Sequence, residues 1–231
     1  VSNYLLAIHI VELIAALAGT YYYLKTKDSQ MKIFIWYLWF VVLVETVGMY
    51  GYLLLNNYDY DWFIWLKNSV ICSNTWLYNI YSFVSILIFG KFFRDIIHSK
   101  PSKIIIKITV VLYVIFTISY FLISGTFFEK SLPYDEFLGT FAVLIFVILY
   151  YKQLLASNKI LLFYRLPVFY ISSGLLLFYL CVAPLFTFDS YFLAVNKGFV
   201  QFRIVFMFLI NTFLYSCFTF AFLYTIQFKK E

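Results

Sequence analysis

Charge is scarce in this sequence. Asp, Glu, Lys and Arg make up 12% of its 231 residues, against 64% hydrophobic and 24% aromatic. A soluble domain carries about 25% charged residues to wet its surface, so a water-soluble enzyme, a disordered tail and a free nucleic-acid-binding protein are excluded. Histidine is nearly absent, with two in the chain, too few for a metal centre built on imidazole. The three cysteines, Cys72, Cys181 and Cys217, fall inside apolar runs with no loop pair to bridge. They read as small core residues rather than disulfides or metal ligands. No Gly/Ser linker breaks the chain, so residues 1–231 read as one domain. No nucleophile–base pair, phosphate-binding loop or cofactor motif is present, so no catalytic residue, cofactor or metal is assigned and the chain is not read as an enzyme.

What is abundant is apolar sequence in long blocks, with a mean hydropathy of +0.89. Crossing a bilayer core takes about 20 residues. Seven stretches qualify, running Tyr4–Leu24, Met31–Leu55, Val70–Phe89, Ile104–Ile123, Phe137–Tyr151, Leu166–Phe186 and Val200–Ile226. The first holds His9 and Glu12 and lacks a basic leader and a small-residue cleavage site, so it reads as a span rather than a signal peptide. The runs are continuous, whereas a transmembrane barrel alternates polar and apolar residues. The expected fold is therefore all-α, a polytopic bundle of seven transmembrane helices. Between the second and third runs, Asn56–Asn68 mixes Asp59 and Asp61 with Trp62 and Trp65 and reads as a surface loop or short interfacial helix. No internal repeat is visible, which gives an inverted-repeat transporter no support. Pro167 suits the first turn of the sixth helix, and Pro184 should loosen its far end.

The few charges are unevenly placed. Thirteen of the 17 Lys and Arg residues flank one set of helix ends, and four (Lys67, Lys130, Lys197 and Arg203) the other. The positive-inside rule then puts the N-terminus outside and the C-terminus in the cytoplasm. The net charge of +6 points to the bilayer and its anionic headgroups, not to nucleic acid. Lys91, Arg94, Lys100, Lys103 and Lys107 form the densest basic loop, a candidate for headgroup contact or for docking a cytoplasmic protein.

A second group of residues does not belong in lipid. Glu12 and Glu45 each lie about 12–15 Å inside their helices at 1.5 Å per residue, where an ionisable group costs about 2.5–3.5 kcal/mol and turns to the bundle interior. If they meet, they cannot both be ionised in low dielectric, and the pair shares a proton. His9 is one turn from Glu12 on the same face. The third run is the most polar, with Asn74, Tyr78, Tyr81 and Ser85 recurring on one face and Asn79 beside them. The seventh carries Asn211, Tyr215 and Thr219, with Arg203 near its outer end. Counted from the helix ends, Asn79 and Asn211 share the depth of the two glutamates. The candidate polar layer, for a ligand or a proton, is therefore His9, Glu12, Glu45, Asn74, Tyr78, Asn79, Arg203, Asn211 and Tyr215. Hydrogen bonds that merely glue helices together are the plainer explanation. The fourth and fifth helices, with only scattered hydroxyls, are expected on the outside.

Family signatures of seven-helix proteins fail. Ile204–Gln227 has no lysine for a retinal Schiff base. Asn211–Tyr215 lacks the proline of the G-protein-coupled receptor signature, and Cys181-Val182-Ala183-Pro184 lacks its tryptophan. Two histidines do not suffice for the zinc-dependent seven-helix hydrolases. By contrast, Phe169–Tyr179 (FYISSGLLLFY) and Asn211–Tyr224 (NTFLYSCFTFAFLY) resemble segments of small seven-helix proteins of Bacteroidota-type bacteria. That resemblance implies a bacterial inner membrane and an association with signalling; it carries over no functional residue. The expected role is a membrane-embedded sensor or accessory subunit working through a membrane or cytoplasmic protein partner. A small proton- or ion-coupled transporter using Glu12 and Glu45, and a structural subunit of a larger complex, stand as alternatives.

Overall fold

A computed structural model describes residues 2–55, 61–132, 135–192 and 197–229. Eight α-helices follow one another: α1 (Ser2–Thr26), α2 (Lys32–Leu55), the short α3 (Asp61–Lys67), α4 (Thr75–Ile96), α5 (Lys100–Ser124), α6 (Asp135–Leu155), α7 (Pro167–Phe192) and α8 (Lys197–Thr225). All but α3 are long and apolar enough to cross a membrane, and no strand occurs among the described residues. The protein is a multi-pass bundle of seven such helices. With no water in hydrocarbon to satisfy backbone N–H and C=O groups, the helix is what each run can form.

Neighbouring contacts close a ring, α1–α2–α4–α6–α7–α8 and back to α1. Helix α5 stands outside it, packed on α4 and α6. The paucity of polar residues in the fifth span, α6, predicts an outside position for it too, but α6 is a ring member that buries Ala142, Val143, Phe146, Val147 and Tyr150. Its buried face is mostly apolar, so counting polar residues misses it: polarity marks which helices meet a polar centre, not which are buried.

The third span starts five residues later than the hydropathy suggests. Residues 69–74 are a turn-rich link tied to α2 by Tyr50, whose hydroxyl lies 3.0 Å and 2.7 Å from the carbonyls of Ile71 and Ser73. The Trp76 indole N–H donates to that same hydroxyl at 2.9 Å. Gly48 and Gly51 let α4 come this close, since a Cβ at Gly51 would sit 3.1 Å from Asn74 Nδ2 and one at Gly48 3.3 Å from the Tyr78 hydroxyl. Trp65 on α3 is exposed, as an interfacial helix requires; Asp59 and its neighbours at 56–60 lie outside the described residues. Pro167 opens α7, which runs on through Pro184 to Phe192.

The cysteines are not core residues: Cys72 in the link and Cys181 on α7 are exposed and Cys217 is half-buried, all three as free thiols. The α7 surface around Cys181, with Leu177 and Leu180 also exposed, faces away from the bundle.

Candidate functional site

Four ring helices, α1, α2, α4 and α8, meet along the centre, and their facing side chains divide it into two halves. The half toward the C-terminal end is aromatic. Phe34 of α2 touches Phe92 of α4 at 5.1 Å between ring centroids and Phe218 of α8 at 5.0 Å. Tyr37 and Phe89 pack at 4.7 Å, and Tyr22 of α1 meets Phe222 of α8 at 5.4 Å. All are almost wholly buried. Rings packed in tilted and edge-on pairs add about 0.5–1.5 kcal/mol each to their area burial. They make a plug.

The half toward the N-terminal end is polar. Glu12 is 4% exposed on α1, in register with Ala15, Ala16, Gly19 and Tyr22, the small residues among them letting α8 and α2 close on α1. Its carboxyl oxygen Oε2 lies 3.5 Å from His9 Nδ1, one turn away. Tyr215 of α8 lies beside the Glu12 carboxyl. Tyr81 of α4 reaches Tyr215 in turn, and Tyr37 of α2 is 3.1 Å from the Tyr81 hydroxyl. Phenol groups of α8, α4 and α2 thus gather between Glu12 and the edge of the plug. Glu45 on α2 accepts a 3.2 Å hydrogen bond from the Tyr78 hydroxyl of α4. It is near enough for its charge to bear on Glu12, with no direct hydrogen bond between the two carboxyls among those described.

The structure gathers five of the nine sequence-predicted residues, His9, Glu12, Glu45, Tyr78 and Tyr215, into this network. The others sit apart from it. Asn79 is buried but faces the α5–α6 loop, donating to the carbonyls of Phe127 (2.8 Å) and Lys130 (3.0 Å) and accepting from the Leu132 N–H at 3.3 Å. The late start of α4 is the reason: it leaves Asn79 near the helix end rather than at the depth of Glu12. Asn74 donates to the Gly48 carbonyl at 3.3 Å and fastens α4 to α2. Asn211 turns back on its own helix, donating to the Met207 carbonyl at 2.8 Å. Arg203 is half-buried nearer the start of α8.

Sequence reasoning missed Tyr37 and Thr46. Tyr37 was legible: Tyr37, Val41, Val44, Gly48 and Gly51 recur at helical spacing and are all buried. Thr46, whose hydroxyl is 3.2 Å from His9 Nε2, left no sequence signal.

At the opposite end the basic residues line the bundle rim. Lys91 pairs with Asp95 at 3.2 Å; Arg94, Lys100 and Lys107 are exposed and Lys103 half-buried. Lys91 and Asp95 also border an open cleft of about 370 Å³ with Ser29, Gln30, Lys32 and Trp36. Lys25 and Lys27 lie over the rings of Tyr21 and Tyr23, and Arg165 over Phe228. Among the described residues no cluster of three or more His, Cys, Asp or Glu stands ready for a metal. No family model matches the chain, and no curated protein or solved structure is significantly similar to it.

Proposed function

We propose that this protein is a membrane-embedded sensor or accessory subunit that works through a protein partner. The observation that carries the reading is the division of the bundle centre: a polar network open to change of state, closed on its far side by the buried plug of Phe34, Phe89, Phe92, Phe218 and Phe222. A change at His9 or Glu12 reaches the other end through helix packing rather than along a passage. Helices α1, α2, α4 and α8 belong to both halves, so they are the elements that would transmit it.

The charge asymmetry supports a C-terminal face in the cytoplasm. There the rim lysines meet anionic headgroups, and Trp36 beside Lys32 suits an interfacial position. The likeness of residues 169–179 and 211–224 to small Bacteroidota-type seven-helix proteins supports a bacterial inner membrane and a signalling role. The partner is met through the basic rim or laterally, along α5 and the lipid-facing surface of α7.

The test is purification in mild detergent from the native membrane: a partner at fixed stoichiometry supports the reading. A homogeneous protein without one, which in proteoliposomes carries a proton-gradient-driven flux lost in Glu45→Gln, replaces it with a transporter.

A further inference from the structure

The geometry points to a one-proton binding site shared between His9 Nδ1 and Glu12 Oε2, with Thr46 as the residue that fixes the histidine tautomer. It deepens the sensor reading by naming the proton as what the polar half binds.

Thr46 decides which histidine nitrogen carries hydrogen. A threonine hydroxyl has a single hydrogen to give. Thr46 Oγ1 is 2.6 Å from the Val42 carbonyl of its own helix, an oxygen that only accepts, so the hydrogen points there. The same Oγ1 is 3.2 Å from His9 Nε2 and has only lone pairs left to offer. Nε2 must therefore be the donor. In a neutral imidazole one nitrogen carries the hydrogen and the other accepts, so the neutral ring has a bare Nδ1. That bare nitrogen faces Glu12 Oε2 across 3.5 Å.

Both atoms are buried, and neither has another hydrogen-bond partner. Two acceptors facing each other in a low-dielectric interior repel and leave both unsatisfied. One proton between them resolves this. It makes either a neutral imidazole facing a carboxylic acid or an imidazolium facing a carboxylate, and the pair is neutral overall in both forms. A second proton gives the pair a charge of +1 and loss of the first gives −1; burial opposes each.

Every helix packed against the pair contributes to its surroundings. Helix α2 brings Glu45, whose charge bears on Glu12, and α8 brings Tyr215 to the Glu12 carboxyl. Helix α4 adds Tyr78 and Tyr81, and α7 adds Tyr179 beside Tyr37 and Tyr81. These neighbours are carboxyl and phenol groups, which carry no positive charge of their own. A carboxylate at Glu12 draws the hydroxyl hydrogens of its neighbours Tyr215, Tyr81 and Tyr37 toward it. Once Oε2 is protonated, that pull weakens and the hydroxyls are free to reorient, which carries the event to α8, α4 and α2.

The test uses the full-length protein in detergent or nanodiscs, without a partner, so that it stands or falls separately from the partner search. His98→Gln leaves His9 as the single histidine; His98 is exposed at the far rim. Histidine labelled with ¹⁵N is then followed by NMR across pH, with infrared detection of the carboxyl C=O band. The expected neutral form is the Nε2–H tautomer. Thr46→Val should shift the population toward Nδ1–H, and Thr46→Ser, which restores the hydroxyl, should return it. Glu12→Gln should remove one carboxylic acid band and displace the His9 titration. An Nδ1–H tautomer in the wild type overturns the proposal whether or not Thr46→Val folds. So does a His9 titration that is unchanged by Glu12→Gln.

Discussion

Asn79 and Asn211 are the same amide in two long apolar helices, and their surroundings set them apart. Asn79 satisfies two carbonyls and one N–H of the α5–α6 loop, whereas Asn211 bonds within its own helix turn. Removing one partner of a buried hydrogen bond costs about 1–3 kcal/mol, because the other is left dry and unpaired. Asn79→Leu should therefore lower the thermal unfolding temperature in detergent clearly and open residues 126–132 to protease. Asn211→Leu should cost no more than the ~0.6 kcal/mol average of membrane hydrogen bonds and leave that loop protected. Equal losses in the two variants would refute the distinction. The sequence showed that both residues need partners, since an amide in lipid does. Which partner each finds depends on where α4 begins, and that is decided by Tyr50 holding the link from another helix.

At the level of elements, α2 and α4 are held together by absence of side chain as much as by its presence. A valine at position 51 would push its branches into Asn74, whose Nδ2 and Cγ already lie 3.1 Å and 3.2 Å from an ideal Cβ. The Asn74 amide is itself tied to the Gly48 carbonyl, so it cannot swing aside without losing that bond. Overpacking of this kind costs about 1–3 kcal/mol. At Gly139 on α6 an added Cβ meets only Ile86 Cδ1, at 3.7 Å, an ordinary contact. Gly51→Val should thus lower thermal stability and disturb Tyr78 against Glu45, while Gly139→Ala should be neutral or slightly stabilising through its helix propensity. The comparison is made by thermal unfolding of both variants in one detergent. Helix existence was readable from run length alone, and six of the seven spans begin or end within a few residues of where hydropathy sets them. Helix neighbours were less so: the placement of α5 outside the ring followed from its apolar surface, but α6 is buried by shape, which periodicity in an all-apolar helix does not record.

For the whole molecule, the unequal charge of the two ends is the property that sequence and structure share most directly. The cleft at the basic rim brings Lys91 together with Lys32 and Trp36, although Lys91 is far from both in the chain. A lysine near an anionic surface contributes about 1 kcal/mol, or roughly a fivefold change in binding. Lys32→Gln and Lys91→Gln should each lower the anionic phospholipid retained on purification severalfold, with the Lys91 change smaller because Asp95 already holds that ammonium.

Orientation is tested with a thiol that the structure supplies. Cys72 is exposed in the link before α4, at the N-terminal end of the bundle, while Cys181 is exposed on the outer surface of α7. Cys181 lies within the membrane-spanning stretch of α7, where a charged, impermeant reagent does not enter, so it should stay silent. If the basic end is cytoplasmic, an impermeant maleimide added to intact cells should label the native protein at Cys72, and Cys72→Ser should abolish the signal. A cysteine in place of the exposed Ser99 at the opposite end, in that Cys72→Ser background, should label only after the membrane is opened. The reverse pattern would turn the molecule over. The half of the bundle that holds the His9–Glu12 site would then lie toward the cytoplasm, and the lysine rim would face outward, where the attraction of the anionic inner leaflet is lost.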